Sequence, residues 1–364
     1  MNKHYYWILL IPAILIIILL FNKESIKNSP NYSQILETCK TLSYSGENKP
    51  SILFLTDKNT AESYKDYLTQ YDPFKDYKND INFFYIDDYT PKCELYDNKA
   101  LFCYSKELIK KSSSCKSDYI VTIQPEKVEI RSSSYMNVVS INKNHPKSVI
   151  LHELGHAIAN LAEEYVPAQL IDNSKNCVQS CSYFSNNSND CFQGCSNSDL
   201  YRSINSGVMR TLNSNEYGEF DENLIKEKLN IENSIITGNA VNKEESCANQ
   251  KYYLITATYK DGKISIIDKT IEPGCPGSNG DGQFSYKIIS NNNEIIEQNQ
   301  FGPQYLFTDS PSSDQIDGEI YSYEEPFYLK VPISTNDNSL IIEKENIVLA
   351  QINLNDVGAR PCKI

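Results

Sequence analysis

Two histidines stand one helical turn apart with a glutamate beside the first: His152-Glu153-Leu154-Gly155-His156. On a helix, positions i and i+4 share a face. Both imidazoles can therefore reach one Zn²⁺, and Glu153 can face a water on that ion. Zinc lowers the pKa of such a water towards neutrality, and a neighbouring carboxylate can take its proton and pass it on. The spacing is that of the H-E-x-x-H pattern of metal-dependent peptide hydrolysis. Two of the chain's four histidines fall inside it. Val149, Ile150, Leu154, Ala157, Ile158 and Leu161 give the segment an apolar helical surface.

The other two histidines are poorly placed to complete the site. His4 lies in an apolar N-terminal run, and His145 precedes Pro146, which suits a first helical turn. A carboxylate is the natural third ligand, and Glu163 and Glu164 follow His156 by seven and eight residues. On a straight helix each would sit roughly 10–12 Å further along the axis, too far to share the metal. The helix must therefore break near Ala159-Asn160 and the chain must turn back. Asn160 can make that turn because asparagine tolerates the left-handed conformation. Tyr165 and Tyr217 are candidate donors to a developing oxyanion, with no spacing argument to choose between them.

Several elements must hold this helix. Residues 51–56, 81–86, 118–124 and 135–141 read as strands, and 61–71 and 223–229 as helices. Strands separated by helices mark an α/β or α+β layer. Residues 173–206 are polar and hold Cys177, Cys181, Cys191 and Cys195. Two nested disulfides, 177 with 195 and 181 with 191 by symmetry, would staple them, with a four-thiolate zinc site as the alternative. From residue 247 onward, a hairpin signature around Asp261-Gly262 and runs at 284–289, 327–331, 340–342 and 347–352 suggest a β-sandwich.

The segment His152-Glu-Leu-Gly-His-Ala-Ile-Ala-Asn-Leu-Ala-Glu-Glu-Tyr165 resembles the His-Glu-x-Gly-His…Leu-Ala-Asp-Glu-Tyr stretch of IgA-peptidase-like zinc metallopeptidases, a metzincin-like zincin family. Residues 118–142 resemble the strand, loop and edge strand that precede the active helix there. Ser206-Gly-Val-Met-Arg210 looks like the Met-turn beneath the zinc. The resemblance covers about residues 50–230, and the β-rich tail fits an accessory domain seen in some relatives. It implies that His152, His156 and Glu163 are ligands, that Glu153 is the general base and that Met209 floors the site. Ala159 stands where metzincins keep a turn glycine, and Glu163 where this family has Asp. The resemblance also implies that an edge strand at 135–141 pairs with an extended substrate backbone, as β-augmentation does. The plainer reading is an ordinary strand covered by a loop.

Composition limits the rest. The 364 residues carry 34 Lys and Arg against 47 Asp and Glu, a net charge of −13, which argues against nucleic-acid binding. Residues 5–21 are uncharged and roughly 26 Å long as a helix, near the span of a bilayer core. No small residues suit a signal-peptidase cut, so an uncleaved anchor is favoured over a cleaved signal peptide. All 11 cysteines follow that run, as expected of an oxidising compartment.

The sequence thus predicts an α+β zincin-like catalytic domain, a mixed sheet plus an active-site helix, followed by an all-β sandwich domain, behind an N-terminal transmembrane helix. The expected divisions are a signal anchor at 1–25, a linker at 26–49, a zinc metallopeptidase domain at 50–232 with its cysteine-stapled loop at 177–195, a linker at 233–246 and an Ig-like β-sandwich at 247–364. The predicted function is that of a membrane-anchored, extracytoplasmic zinc metalloendopeptidase. It would hydrolyse protein or peptide substrates by zinc-activated water with Glu153 as general base. A non-catalytic surface scaffold for adhesion or assembly, and a zinc hydrolase of a non-peptide amide, are the alternatives.

Overall fold

The computed structural model describes residues 36–47, 49–184, 191–229, 246–312, 315–334 and 336–355. In chain order the elements up to the active-site region are β1 (Lys40–Ser43), β2 (Ser51–Leu55), α1 (Lys58–Leu68), β3 (Asn82–Ile86), β4 (Glu94–Tyr96), β5 (Ala100–Phe102), α2 (Lys106–Ser112), β6 (Tyr119–Gln124), β7 (Ser132–Tyr135), β8 (Val138–Asn142) and α3 (Val149–Ala159). Then come β9 (Phe192–Cys195), β10 (Asn197–Arg202) and α4 (Glu219–Leu229). The tail holds β11 (Lys251–Lys260), β12 (Lys263–Pro273), β13 (Phe284–Ser290), β14 (Ile295–Phe301), β15 (Tyr305–Pro311), β16 (Ile316–Ser322), β17 (Phe327–Pro332), β18 (Asp337–Lys344) and β19 (Ile347–Asn353).

An eight-stranded mixed sheet is central, in the order β1-β3-β2-β6-β8-β7-β15-β16. β3, β2, β6 and β8 run parallel to their neighbours among themselves. Parallel strands are covered on both faces, and alternate residues show it. Ile52, Phe54, Val121, Val139 and Ile141 point to one side, where α1, α3 and α4 pack. Leu53, Leu55, Ile120 and Val138 point to the other. That second face shares one apolar cluster with Tyr252, Leu254, Phe284, Tyr286, Leu329 and Leu340. Those residues come from the two tail sheets, β12-β11-β17 and β14-β13-β18-β19.

The observed fold corrects several expectations. Among the described residues strand makes up 38% and helix 16%, so the fold is mostly β and sheet-rich rather than an α+β zincin-like one. The reason lies in the tail, where β14, β15 and β16 add strands that the sequence pattern did not reveal. The division at 233–246 does not separate two cores, because β15 and β16 join the central sheet and the tail sheets cover its open face. The described residues fall in one compact unit. Residues 135–141 are not one strand. Met136 takes a positive φ of 52° and folds β7 back antiparallel on β8.

No helix among the described residues is long and apolar enough to cross a membrane. The longest have 11 residues, about 16 Å against a hydrocarbon core of about 30 Å. The transmembrane helix, and with it a membrane-anchored localisation, is therefore not supported, and the segment 1–25 that suggested it lies outside the described residues. Among the described residues there are five disulfides: Cys39–Cys115, Cys93–Cys103, Cys177–Cys195, Cys181–Cys191 and Cys247–Cys275. They fit an oxidising, extracellular setting. The eleventh cysteine, Cys362, lies outside the described residues.

Candidate metal centre

Helix α3 is buried along its whole length, wedged between the sheet face, α4 and the segment 206–212. Ser148 Oγ donates to the Leu212 carbonyl oxygen at its start. At its end Asn160 adopts φ 49° and ψ 41°, the left-handed turn that the ligand spacing required. Asn160 N–H donates to His156 O at 3.0 Å and Leu161 N–H to Gly155 O at 3.3 Å.

The returning chain is gripped residue by residue. Asn176 accepts from Ala162 N–H at 2.7 Å and donates to Ala162 O at 2.9 Å. Ser196 Oγ donates to Glu163 O at 2.8 Å, and Glu164 N–H donates to Met209 O at 3.0 Å. Asn176 and Ser196 flank the Cys177–Cys195 disulfide. The stapled loop thus holds the turn that carries Glu163, which gives the nested cysteines a purpose beyond ordering themselves.

The result is a buried cluster of four donors, His152, His156, Glu163 and Asp309, that could hold a metal ion. Nε2 of His156 lies 3.0 Å from Glu163 Oε1, and Nε2 of His152 lies 3.5 Å from Glu163 Oε2. Asp309 Oδ2 is 3.3 Å from His152 Nε2 and 3.9 Å from His156 Nε2. The two Nε2 atoms are 3.0 Å apart. Donors about 2.0–2.1 Å from a tetrahedral zinc would be roughly 3.3–3.4 Å from one another, and these separations bracket that value. The outer ring nitrogens are fixed: His152 Nδ1 bonds the Val208 carbonyl oxygen at 3.0 Å, and His156 Nδ1 bonds the Leu161 carbonyl oxygen at 2.7 Å. A backbone partner on Nδ1 sets the tautomer that leaves Nε2 free as a donor.

The carboxylates of Glu153, Glu163 and Asp309 are all buried; those of Glu163 and Asp309 face the histidine Nε2 atoms, and neither oxygen of Glu153 has a hydrogen-bond partner. Unpaired buried charge is costly, so the arrangement calls for positive charge at its centre. Burial favours neutral Glu163, but the His156 and His152 rings outweigh it and hold the carboxyl at about 2. Burial and then Asp309 lift Glu153 well above the usual carboxylate range. Burial and then Glu163 raise Asp309.

Asp309 was not legible as a ligand. It comes from β15, where it pairs with Ser132 of β7, far along the chain from the helix. Opposite it on β16 stands Gly318. A Cβ there would lie 2.0 Å from Asp309 Oδ1 and 2.4 Å from the Tyr165 hydroxyl, so the glycine leaves room for both groups. Tyr165 therefore reaches the site. Tyr217 does not, because its hydroxyl donates to the Leu151 carbonyl oxygen. His145 is no ligand either, since its ring bonds Ser132 Oγ at 3.1 Å and Val128 O at 2.9 Å.

Met209 is fully buried beneath the helix. A Cβ on Gly155 would meet its Sδ at 2.8 Å, Tyr217 Cε1 at 3.1 Å and Leu161 Cδ1 at 3.3 Å. Gly155→Ala is therefore expected to destabilise the fold by about 1–3 kcal/mol through overpacking, measured by urea unfolding. An unchanged midpoint would show that Met209 yields freely.

Glu164 faces away from the histidines, towards Asp221, and both carboxyls are buried. Burial, with Glu164 next, pushes Asp221 well up, and burial lifts Glu164 to about 7 despite Arg202 and Arg210. Two facing buried carboxylates cannot both ionise cheaply, so they share a proton. An acid whose folded pKa is raised binds more protons folded than unfolded. Its contribution is complete below the unfolded value and lost as pH rises to about 7. Asp221→Asn is expected to flatten the fall in stability between pH 5 and 7, read by thermal unfolding across that range.

No protein-family model and no curated protein matches the chain.

Proposed function

We propose that the chain is a zinc metallopeptidase in which His152, His156 and Glu163 hold the metal and Glu153 is the general base. The observation that carries this reading is Glu153. It sits on the ligand helix, is fully buried, and offers two carboxylate oxygens with no hydrogen-bond partner next to the donor set. A site that only binds metal has no use for that extra charge, whereas hydrolysis needs a proton acceptor there. The resemblance of residues 152–165 to IgA-peptidase-like zinc metallopeptidases supports the same reading.

The residue set fits zinc: two imidazoles fixed through Nδ1, carboxylate oxygens and near-tetrahedral spacing. When bound, zinc would supply a Lewis acid and make water easier to deprotonate near neutral pH. Glu153 takes the proton of the attacking water and returns it to the leaving amine. Tyr165, whose hydroxyl lies beside Asp309, is placed to donate to an oxyanion. The substrate would be a protein or peptide.

A second reading is a non-catalytic surface scaffold with a structural zinc. One observation favours it: the cluster offers four protein donors, as many as a closed structural zinc site takes. The assay is therefore run on the native chain and on Asp309→Ala, each with measured zinc content and unfolded casein as substrate. Chelator-sensitive cleavage by either form supports the peptidase. One zinc per chain with no cleavage in both forms leaves the scaffold.

A further inference from the structure

The metal donors are shut away in this fold. His152, Glu153, Glu163 and Asp309 are fully buried and His156 is 4% exposed. A cavity of about 20 Å³ lies against His156, walled by Ser134, Met136 and Phe307. That is room for about one water, not for a polypeptide.

What closes the site is a single hairpin of the tail. β14 and β17 on either side of it belong to the two tail sheets, but β15 and β16 leave them and join the central sheet. Without the hairpin, β7 would be the sheet's edge beside the active helix. β15 runs antiparallel along that edge, pairing Leu306 with Tyr135, Phe307 with Ser134, Thr308 with Ser133 and Asp309 with Ser132. An exposed edge strand pairs with an extended peptide in just this manner. Alternation along β15 then turns Phe307 and Asp309 to the same side. Phe307 stacks on the His156 ring, centroids 4.0 Å apart and planes 14° from parallel. Asp309 brings its carboxylate to the histidines.

We propose that the β15–β16 hairpin is an intramolecular stand-in for substrate. It occupies the peptide-binding edge of β7, and Asp309 takes the metal position that an active hydrolase keeps open. The proposal rests on the metallopeptidase reading for what the edge binds. The folded chain is then a latent form. Opening would withdraw the Asp309 carboxylate from the donor set and leave its place to water, with no covalent bond made or broken. The hairpin also names the substrate class: an extended polypeptide, antiparallel to β7, with a bulky apolar side chain at the Phe307 position against His156.

Cobalt-loaded full-length protein tests this through its visible absorption and its affinity for acetohydroxamate, a small metal ligand. Asp309→Ala is expected to keep about one cobalt per chain, to change the absorption bands, and to bind acetohydroxamate at least about tenfold more tightly, as removal of a closed state populated above nine-tenths requires. Asp309→Asn, which keeps the side-chain volume, should move both readouts in the same direction and stands in if the alanine variant unfolds. Bands and affinity identical to the native chain would overturn the proposal, and so would loss of cobalt from both variants. Casein cleavage is followed in parallel. Tighter acetohydroxamate binding without cleavage in any form sinks the peptidase reading and leaves the hairpin as the occupant. Equal cleavage by the native chain and Asp309→Ala sinks the hairpin and leaves the peptidase.

Discussion

Glu153→Gln is expected to lower kcat for peptide cleavage by about 10²–10⁴-fold, the usual contribution of a positioned general base, in whichever form of the chain is active. Zinc content and thermal stability should stay close to those of the parent. The argument is one of shape and charge. Glu153 is fully buried on a helix whose next turn is braced by Met209, Tyr217 and Leu161, so its place is fixed whatever its charge. Glutamine fills the same volume, keeps the helix and removes only the ability to accept a proton. Its oxygens pair with nothing in the protein, so no structural hydrogen bond is lost. Relief of repulsion from Asp309 and Glu163, which both act to lift the Glu153 carboxyl, should show as unchanged or slightly higher stability and not as activity. The check is kcat on a quenched peptide or casein alongside metal analysis. Retained kcat with equal zinc would remove Glu153 from the chemistry and with it the main support for a hydrolase.

The parts of this site that were legible in the sequence are those set by local geometry. His152, Glu153 and His156 share a helical turn, and the distance argument required a break that Asn160 supplies with its left-handed backbone. The symmetric cysteine spacing suggested the pairs Cys177–Cys195 and Cys181–Cys191. Distance alone left Glu163 and Glu164 open. Their different fates depend on Asn176 and Ser196 gripping one side of the turn and Asp221 meeting the other. Asp309 was out of reach for a different reason. Its strand contains an aspartate and ends in Pro311, residues that usually mark turns and strand ends. β15 is a strand because β7 and β16 flank it, and those partners are remote in sequence. The same non-local pairing explains why a separate tail domain was expected where the tail instead completes the central sheet.

Stripping the metal is expected to have the largest effect on stability. The donor set joins three parts of the chain: α3, the returning turn at Glu163, and β15 with Asp309. Three buried carboxylates converge there on two imidazoles, so the folded chain needs a cation or extra protons in their midst, while the unfolded chain solvates each carboxylate separately. A ligand that binds only the folded state stabilises it by RT ln(1 + [L]/Kd), about 4 kcal/mol at a thousandfold excess over Kd. Zinc-saturated protein should therefore unfold at clearly higher temperature than chelated protein, and the gap should grow with free zinc as that relation dictates. His156→Ala and Glu163→Ala should erase the zinc dependence. Each removes a donor whose replacement cannot reach the ion, and neither should lower the stability of the chelated chain by as much as zinc raises that of the native one. Glu163→Ala in particular removes a buried carboxylate while leaving the Asn176 and Ser196 clamps on the backbone in place. Calorimetric scans at fixed pH across a series of free-zinc concentrations make the measurement. A midpoint that ignores zinc in the native chain would show that the cluster is held together by shared protons and does not serve as a metal centre.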